Sequence, residues 1–175
     1  MSLHFEAKQG QQHETRKAYS LLARTWLRAE NKLYWVAINH EAKKVCYTGW
    51  AHHTKDGETL ILRAPLGPNI NDKQTAFGGS LYNAAVMACW GMAHLKTLEA
   101  GIECNQVVTK GSIEYKAPVH GDIRAICQAP SQDVLEQFIA HFKHKGRSRI
   151  TLNAVIECSG KTAVEFEGTY AILKE

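Results

Sequence analysis

No two of the five cysteines, Cys46, Cys89, Cys104, Cys127 and Cys158, are spaced C-x-x-C. Their number is odd. Neither a disulfide framework nor a zinc site is expected; reduced thiols in a cytoplasm are. The opening MSLHFEAKQGQQ has no basic stretch followed by an apolar core, so no secretory signal is expected. No apolar run reaches the ~20 residues that span a bilayer. Internal repeats and low-complexity tracts are absent. So is a strong charge imbalance: the net charge is +4 over 175 residues, nine histidines uncounted. This mildly basic balance does not argue for nucleic acid and suits an anionic small ligand. A last absence is local. Residues 80–93, SLYNAAVMACWGMA, carry no charge, and no carboxylate occurs over residues 80–98.

What is present is organised around that run. It is Ala-rich, which favours helix. It is too short for a membrane span and fits a core helix, apolar on nearly all sides, that other elements must wrap. Lys96 and Glu99 bring charge back, and Gly101 is placed as its C-terminal stop. Before it stand Gly78 and Gly79, then a polar loop with one carboxylate, Asp72, and the amides of Asn69 and Asn71. A helix N-terminus has unpaired N–H groups and a partial positive charge, so this layout suits a carbonyl oxygen or an anion.

A chain of this length, 45% apolar, is enough for one domain with a real core. Residues 1–12 read as disordered, and 13–31 as a helix with Ala18, Leu21, Leu22, Thr25 and Trp26 at three- and four-residue spacing. Residues 33–45 are ambiguous: LYWVAI has strand composition, while Leu33, Val36, Ala37 and His40 match a helical period, and the spacing favours a second helix. Residues 50–53 and 59–64 form a hairpin about Lys55-Asp56-Gly57. After the central helix, residues 107–116 alternate, with Val107, Thr109, Gly111, Ile113 and Tyr115 on one face. Residues 123–128 alternate too. Residues 130–145 are an amphipathic helix with Val134, Leu135, Phe138, Ile139 and Phe142 as its stripe, Ser131 as N-cap and Gly146 as stop. Residues 147–158 and 162–173 are long strands joined at Ser159-Gly160-Lys161, each apolar on one face. The fold class is therefore α+β: an antiparallel sheet curled around a long central helix.

The segments APLGPN (64–69), INDKQTAFGGSL (70–81), CWG (89–91), IEYKAPVxGD (113–122) and HKGRSRI (144–150) resemble the YiiD C-terminal thioesterase-domain family of hotdog-fold thioesterases. The resemblance runs from about Lys32 to the end. It divides the chain into an N-terminal extension, 1–31, partly helical, and a hotdog thioesterase-like domain, 32–175. It implies a homodimer, with a tetramer as a further step, and hydrolysis of acyl thioesters of coenzyme A or acyl carrier protein. No cofactor is implied beyond the coenzyme A or phosphopantetheine of the substrate, and no metal, nucleic acid or membrane partner. A motif common in the wider hotdog group is N-x-x-G-x-x-H-G-G with an acid inside the central helix. Asn71, Gly78 and Gly79 match it. Gln74 replaces the glycine, Phe77 the histidine, and Val86 and Met87 stand where the acid falls.

Thioester hydrolysis needs a carbonyl polariser and an activated water or a nucleophile. Backbone N–H groups over 77–80 supply the first, with Gly79 as the assigned polariser. Glycine lets backbone approach substrate closely; the plain alternative is a turn feeding a helix. Asp72 is the candidate base or nucleophile, or else an Asx-turn residue. Asn71 positions water or Asp72, or belongs to the same turn. Lys73 is a phosphate contact or a solvated lysine. Thr75 and Ser80 are hydroxyl donors or caps. Phe77, Gly78 and Tyr82 complete the substrate-binding set, while Leu81, Ala85, Cys89 and Trp90 line an acyl pocket or pack on the sheet. Cys89 lacks a histidine partner and is not expected to act as a nucleophile. Arg147 and Arg149, two apart on a strand, share a face and are candidate contacts for coenzyme A phosphates or an acidic carrier, or else the solvated start of a strand. His141 and His144 share a helix side without the acids or thiols of a metal site. His52 and His53 point to opposite strand faces.

Overall fold

The computed structural model describes residues 57–174 in full, with the backbone of two strands, Lys32–Ala37 and Tyr47–His53. The chain divides into two compact units, residues 1–34 and 35–175. The disordered start and the helix expected over 1–31 lie outside the described residues. The elements are β1 (Lys32–Ala37), β2 (Tyr47–His53), β3 (Thr59–Ala64), α1 (Gly78–Glu99), β4 (Asn105–Tyr115), β5 (Ile123–Gln128), α2 (Gln132–Lys145), β6 (Arg147–Cys158) and β7 (Lys161–Leu173). One sheet has the order β1-β2-β3-β5-β6-β7-β4. Its described pairings are antiparallel.

The helix favoured over 33–45 is corrected: Lys32–Ala37 is a strand. Tyr34, Trp35 and Val36 fit a pleated surface, and that outweighs a helical spacing that a window this short cannot establish. Residues 38–46 lie outside the described residues.

α1 packs on the inner face of the sheet, against β3, β5, β6, β7 and β4. It buries Leu81, Ala84, Ala85, Ala88, Cys89 and Met92, of which the three alanines and Cys89 are small enough to let helix and sheet approach closely. The helix is not covered all round: Asn83 is exposed, and Val86, Met87, Trp90 and His94 are half-buried along one stripe. Gly101 ends it as expected, with φ +66°. The Ile102 N–H donates to Thr97 O at 2.9 Å and the Gly101 N–H to Leu98 O at 3.0 Å, the pair of bonds of a Schellman stop.

The sheet follows the alternation of the sequence closely. In β6, Ser148, Ile150, Leu152, Ala154 and Ile156 face the core, and in β7 so do Val164, Phe166, Tyr170 and Ile172. Ser159 and Gly160, at φ +51° and +74°, make the two-residue turn between them. Two glycines meet across β4 and β7, Gly111 opposite Gly168. A Cβ on Gly168 would fall 2.7 Å from the Phe166 ring and 2.8 Å from Tyr170 Oη. One expectation fails in β4. The register with β7 shifts between Val108 and Lys110. This bulge at Thr109 reverses the parity: Val107, opposite Ala171, is on the outer face, whereas Gly111, Ile113 and Tyr115, opposite Gly168, Phe166 and Val164, are on the inner face.

α2 begins after Ser131, whose hydroxyl makes no cap bond; its carbonyl accepts the Leu135 N–H at 3.1 Å. Gly146, at φ +66°, stops the helix. β5 ends at Gln128, next to the Cys127–Ala154 pair, so among the described residues the first half of β6 has no strand on that side. α2 covers it, burying Phe138 and Phe142.

Candidate functional site

Residues 70–77 connect a 3-10 turn, Gly67–Asn69, to α1. An isolated bridge pairs Ile70 with Ala76, closing the loop at its neck. Inside it Asn71 is the organiser. Its backbone N–H donates to Thr75 O at 2.8 Å. Its side-chain Oδ1 accepts the N–H of Lys73 at 2.9 Å and of Thr75 at 3.0 Å, and its Nδ2 donates to Thr75 Oγ1 at 2.9 Å. That is an Asx turn with an extra clamp. Gln74 sits at φ +61°, a conformation glycine adopts at little cost, which is why a glycine at this point of the wider motif makes physical sense.

The loop is held to the rest of the fold from three sides. The Ala76 N–H donates to Val119 O at 2.8 Å and the Phe77 N–H to Asn69 O at 2.7 Å. Asp122 accepts the Leu66 N–H at 2.9 Å. Asn69 is 2% exposed; its Nδ2 donates to Pro65 O at 2.8 Å, while its Oδ1 is buried without a partner among the described residues.

Phe77 is the N-cap of α1 and has no side-chain capping bond. Its carbonyl takes the N–H of Ser80 at 2.9 Å and of Leu81 at 3.0 Å. Among the described residues, the N–H groups of Gly78 and Gly79 have no acceptor. They stand at the positive end of a 22-residue helix. Two aromatic rings flank them. Phe77, 57% exposed, lies against Gly79, where a Cβ would be 2.5 Å from its ring; Tyr115, 51% exposed, donates from Oη to Gly78 O at 2.9 Å. Partial burial and the neighbouring Tyr82 push the Tyr115 phenol upward. Tyr82 is half-buried and meets Phe166 edge-on, 5.7 Å between ring centres.

Asn71, Asp72, Lys73 and Thr75 therefore share one loop, closed at its neck by the Ile70–Ala76 bridge, that runs directly into Phe77, Gly78, Gly79 and Ser80, with Tyr82 one turn into the helix. Asp72 and Lys73 are exposed, and the Asp72 carboxylate makes no hydrogen bond among the described residues. Thr75 is half-buried and Ser80 is buried. Arg147 and Arg149 do not join them. They lie on the outer face of β6, in the rows of Leu173 and Ala171, at the opposite end of β4 from Tyr115. Cys89 is fully buried, and burial beside Cys127 raises its thiol well above the usual range. Its place is in the core. Sequence reasoning placed Asn69 in the polar loop without giving it a role, and missed Tyr115. Asn69 was visible as the first asparagine of N-x-N, and Tyr115 as the aromatic of IEYKAP. Neither signal says that the chain would bring the residue to the glycines. Among the described residues no group of three His, Cys, Asp or Glu is placed to hold a metal ion.

An antiparallel sheet curled on one long helix, with a glycine pair opening that helix, is the hotdog fold of the thioesterase class. The chain belongs to the YiiD C-terminal family, described as "Putative thioesterase (yiiD_Cterm)", which matches residues 48–174. It is similar to a structure of a protein of unknown function from Chlorobaculum tepidum, with 56% identity over 74% of this chain and 83% of that one and a TM-score of 0.69. A "putative thioesterase" from Shewanella oneidensis is 27% identical over 70% of this chain and 82% of its own, with a TM-score of 0.62. A Pseudomonas aeruginosa protein described as a "probable thioesterase" shares the fold at 18% identity, a TM-score of 0.58, and coverage of 67% and 78%.

Proposed function

We propose that the protein hydrolyses acyl thioesters of coenzyme A or of an acyl carrier protein in the cytoplasm, and that it works as a homodimer. The observation that carries this reading is the unpaired N–H couple of Gly78 and Gly79 at the start of α1. A thioester carbonyl oxygen seated on the two donors gains most when water adds to its carbon and the oxygen becomes negative. Asp72, held on the loop that Asn71 organises, takes the proton from that water. The tetrahedral intermediate then collapses, the C–S bond breaks, and the thiolate leaves and is protonated from solvent. Phe77 and Tyr115 are apolar walls for the acyl chain, with Tyr82 behind them. The dimer is supported by β4. It is 11 residues long, lies at the edge of the sheet, and exposes Val107 and Val108, an edge that invites pairing with another chain. A monomer in micromolar light scattering overturns the dimer.

A second reading has one observation in its favour. No carboxylate lies within residues 80–98, and that of Asp72 is exposed without a hydrogen bond among the described residues. On that reading the corner binds acyl-CoA without cleaving it. A dehydratase or hydratase needs a histidine with a helix carboxylate, and the run 80–93 has neither. Pure protein incubated with acyl-CoAs of increasing chain length and a thiol-detecting dye separates the readings. Thiol release that is catalytic and abolished by Asp72→Asn supports hydrolysis; saturable binding without thiol release supports the binding module.

A further inference from the structure

On the outer face of the sheet, away from the glycine corner, α2 and strands β4, β6 and β7 enclose an open groove of about 750 Å³. Its floor is Val107, Ala171 and Leu173, adjacent through the β4–β7 register. Its wall is Val134 and Phe138 of α2. Val107, Val134 and Leu173 are 43%, 43% and 40% exposed, so three of the large apolar side chains left open to water converge on one groove. At one side stand Arg147 and Arg149, with Gln137 and His141 across from them on α2.

The two arginines of that rim are outside the described ion pairs, which use Lys96, Lys116 and Arg124. In the rows of the sheet, Arg147 sits beside Leu173 and Asn105, and Arg149 beside Ala171 and Val107. On β7 the nearest carboxylate to those rows is Glu167, opposite Asn153. Asn153 is four residues along β6 from Arg149, roughly 13 Å at strand rise. Two guanidinium groups two residues apart on one strand face, over an aliphatic floor, ask for a single anionic head with an apolar body. The floor is aliphatic, and Phe138 of the wall, 4% exposed, offers no open ring face to a nucleotide base.

We propose that this groove binds a medium-chain fatty carboxylate, its head between Arg147 and Arg149 and its alkyl chain over Val107, Ala171 and Leu173. The site is separate from the glycine corner and goes beyond the hydrolytic reading, which it does not need. Such a carboxylate is what a thioester hydrolase releases, so the groove would let the product act back on the protein.

Decanoate below its micelle concentration, titrated into the full chain by calorimetry, tests the proposal. Saturable binding is expected, with Arg147→Ala/Arg149→Ala weakening it by about tenfold or more, the worth of a lost charge-assisted pair. Val134→Asp, at an exposed position on the wall, is expected to weaken it as well while melting temperature holds. Acetate should not bind measurably. Decanoate that fails to saturate, or that binds the double variant as well as the parent, overturns the proposal. Acetate binding as tightly as decanoate overturns the apolar half. Adenosine 3′,5′-bisphosphate binding where decanoate does not makes the arginines a nucleotide site instead. A fall in particle mass for the double variant in light scattering, without decanoate binding in the parent, makes the groove a contact between copies. The nucleotide outcome returns the arginines to the coenzyme A of the hydrolytic reading, and the mass outcome returns them to the dimer; failure of decanoate to bind overturns the groove alone and leaves thiol release as it was, so the two readings fail separately.

Discussion

Asn71 and Asp72 are neighbours in the chain with opposite physical situations, and substituting them one at a time separates loop from chemistry. Asn71 spends its amide on three bonds, to Lys73 N, Thr75 N and Thr75 Oγ1, at 2.9, 3.0 and 2.9 Å. Each such bond is worth about 0.5–1.5 kcal/mol net. The loop is partly solvated, so freed groups can turn to water and the sum for Asn71→Ala falls to about 2 kcal/mol. For a chain of this size that lowers Tm by about 4–8 °C. Asn71→Asp keeps both acceptances, and Thr75 can reverse its hydroxyl to donate. Its Tm should fall by less than half as much. Asp72→Asn removes no described bond and is nearly isosteric, so its Tm should stay within about 1–2 °C of the parent. Its kcat should fall by about 10²–10⁴ if the carboxylate is the general base. The assay is thiol release from the best acyl-CoA, with thermal melts alongside. Asp72→Asn with an unchanged Tm and more than about a third of the kcat, well short of that loss, refutes the catalytic assignment. An Asn71→Asp protein as unstable as Asn71→Ala refutes the account of the loop.

Gly168→Ala places a Cβ 2.7 Å from the Phe166 ring and 2.8 Å from Tyr170 Oη, in a fully packed layer, so chemical melts should show a loss of about 1–3 kcal/mol; a neutral result means that layer yields more than its packing implies. Cys89 and Cys127 are fully buried, and burial raises the Cys89 thiol, so in native protein both should react with a disulfide reagent only as fast as the fold opens, while Cys104 and Cys158, half-buried, react sooner. Peptide mapping of the labelled thiols checks this, and early labelling of Cys89 counts against the core placement.

The parts of the fold that could be read from the sequence share a feature: each is fixed by its own residues. β6 and β7 alternate apolar and polar over more than ten positions and turn at Ser-Gly, so face and register follow locally. α1 declares itself by an uncharged run and two glycine ends. What was misread depends on distant partners or on single residues. Over β1 the spacing favours a helix because six residues are too few to establish a period. The inner face of β4 was misassigned from Val107 onward because a bulge at Thr109 inserts one residue, and nothing about a threonine in an alternating strand announces that. Arg147 and Arg149 were correctly placed on one face, but which face, and how far from the loop, is set by pairing with β7.

The same logic explains why the polar chemistry of this corner is concentrated before the helix and not in it. Val86 and Met87 occupy the helical positions where hotdog enzymes often carry an acid, and both are half-buried. The Val86 carbonyl already receives the hydroxyl of fully buried Tyr170, at 2.8 Å, so the sheet is tied to the helix at that level by a neutral group. Burial, with Cys89, Cys127 and Tyr82 around it, pushes the Tyr170 phenol far above its usual value and keeps it protonated. A carboxylate introduced there would be costly unless it found its own partners. The loop has the opposite character. Asp72 is in water, its neighbours Lys73 and Gln74 are exposed, and the backbone that carries it is fastened by Asn71 rather than by packing. A charge can sit there without a desolvation penalty, on the loop that leads into a helix start whose first two N–H groups have no acceptor among the described residues and carry the helix's partial positive charge.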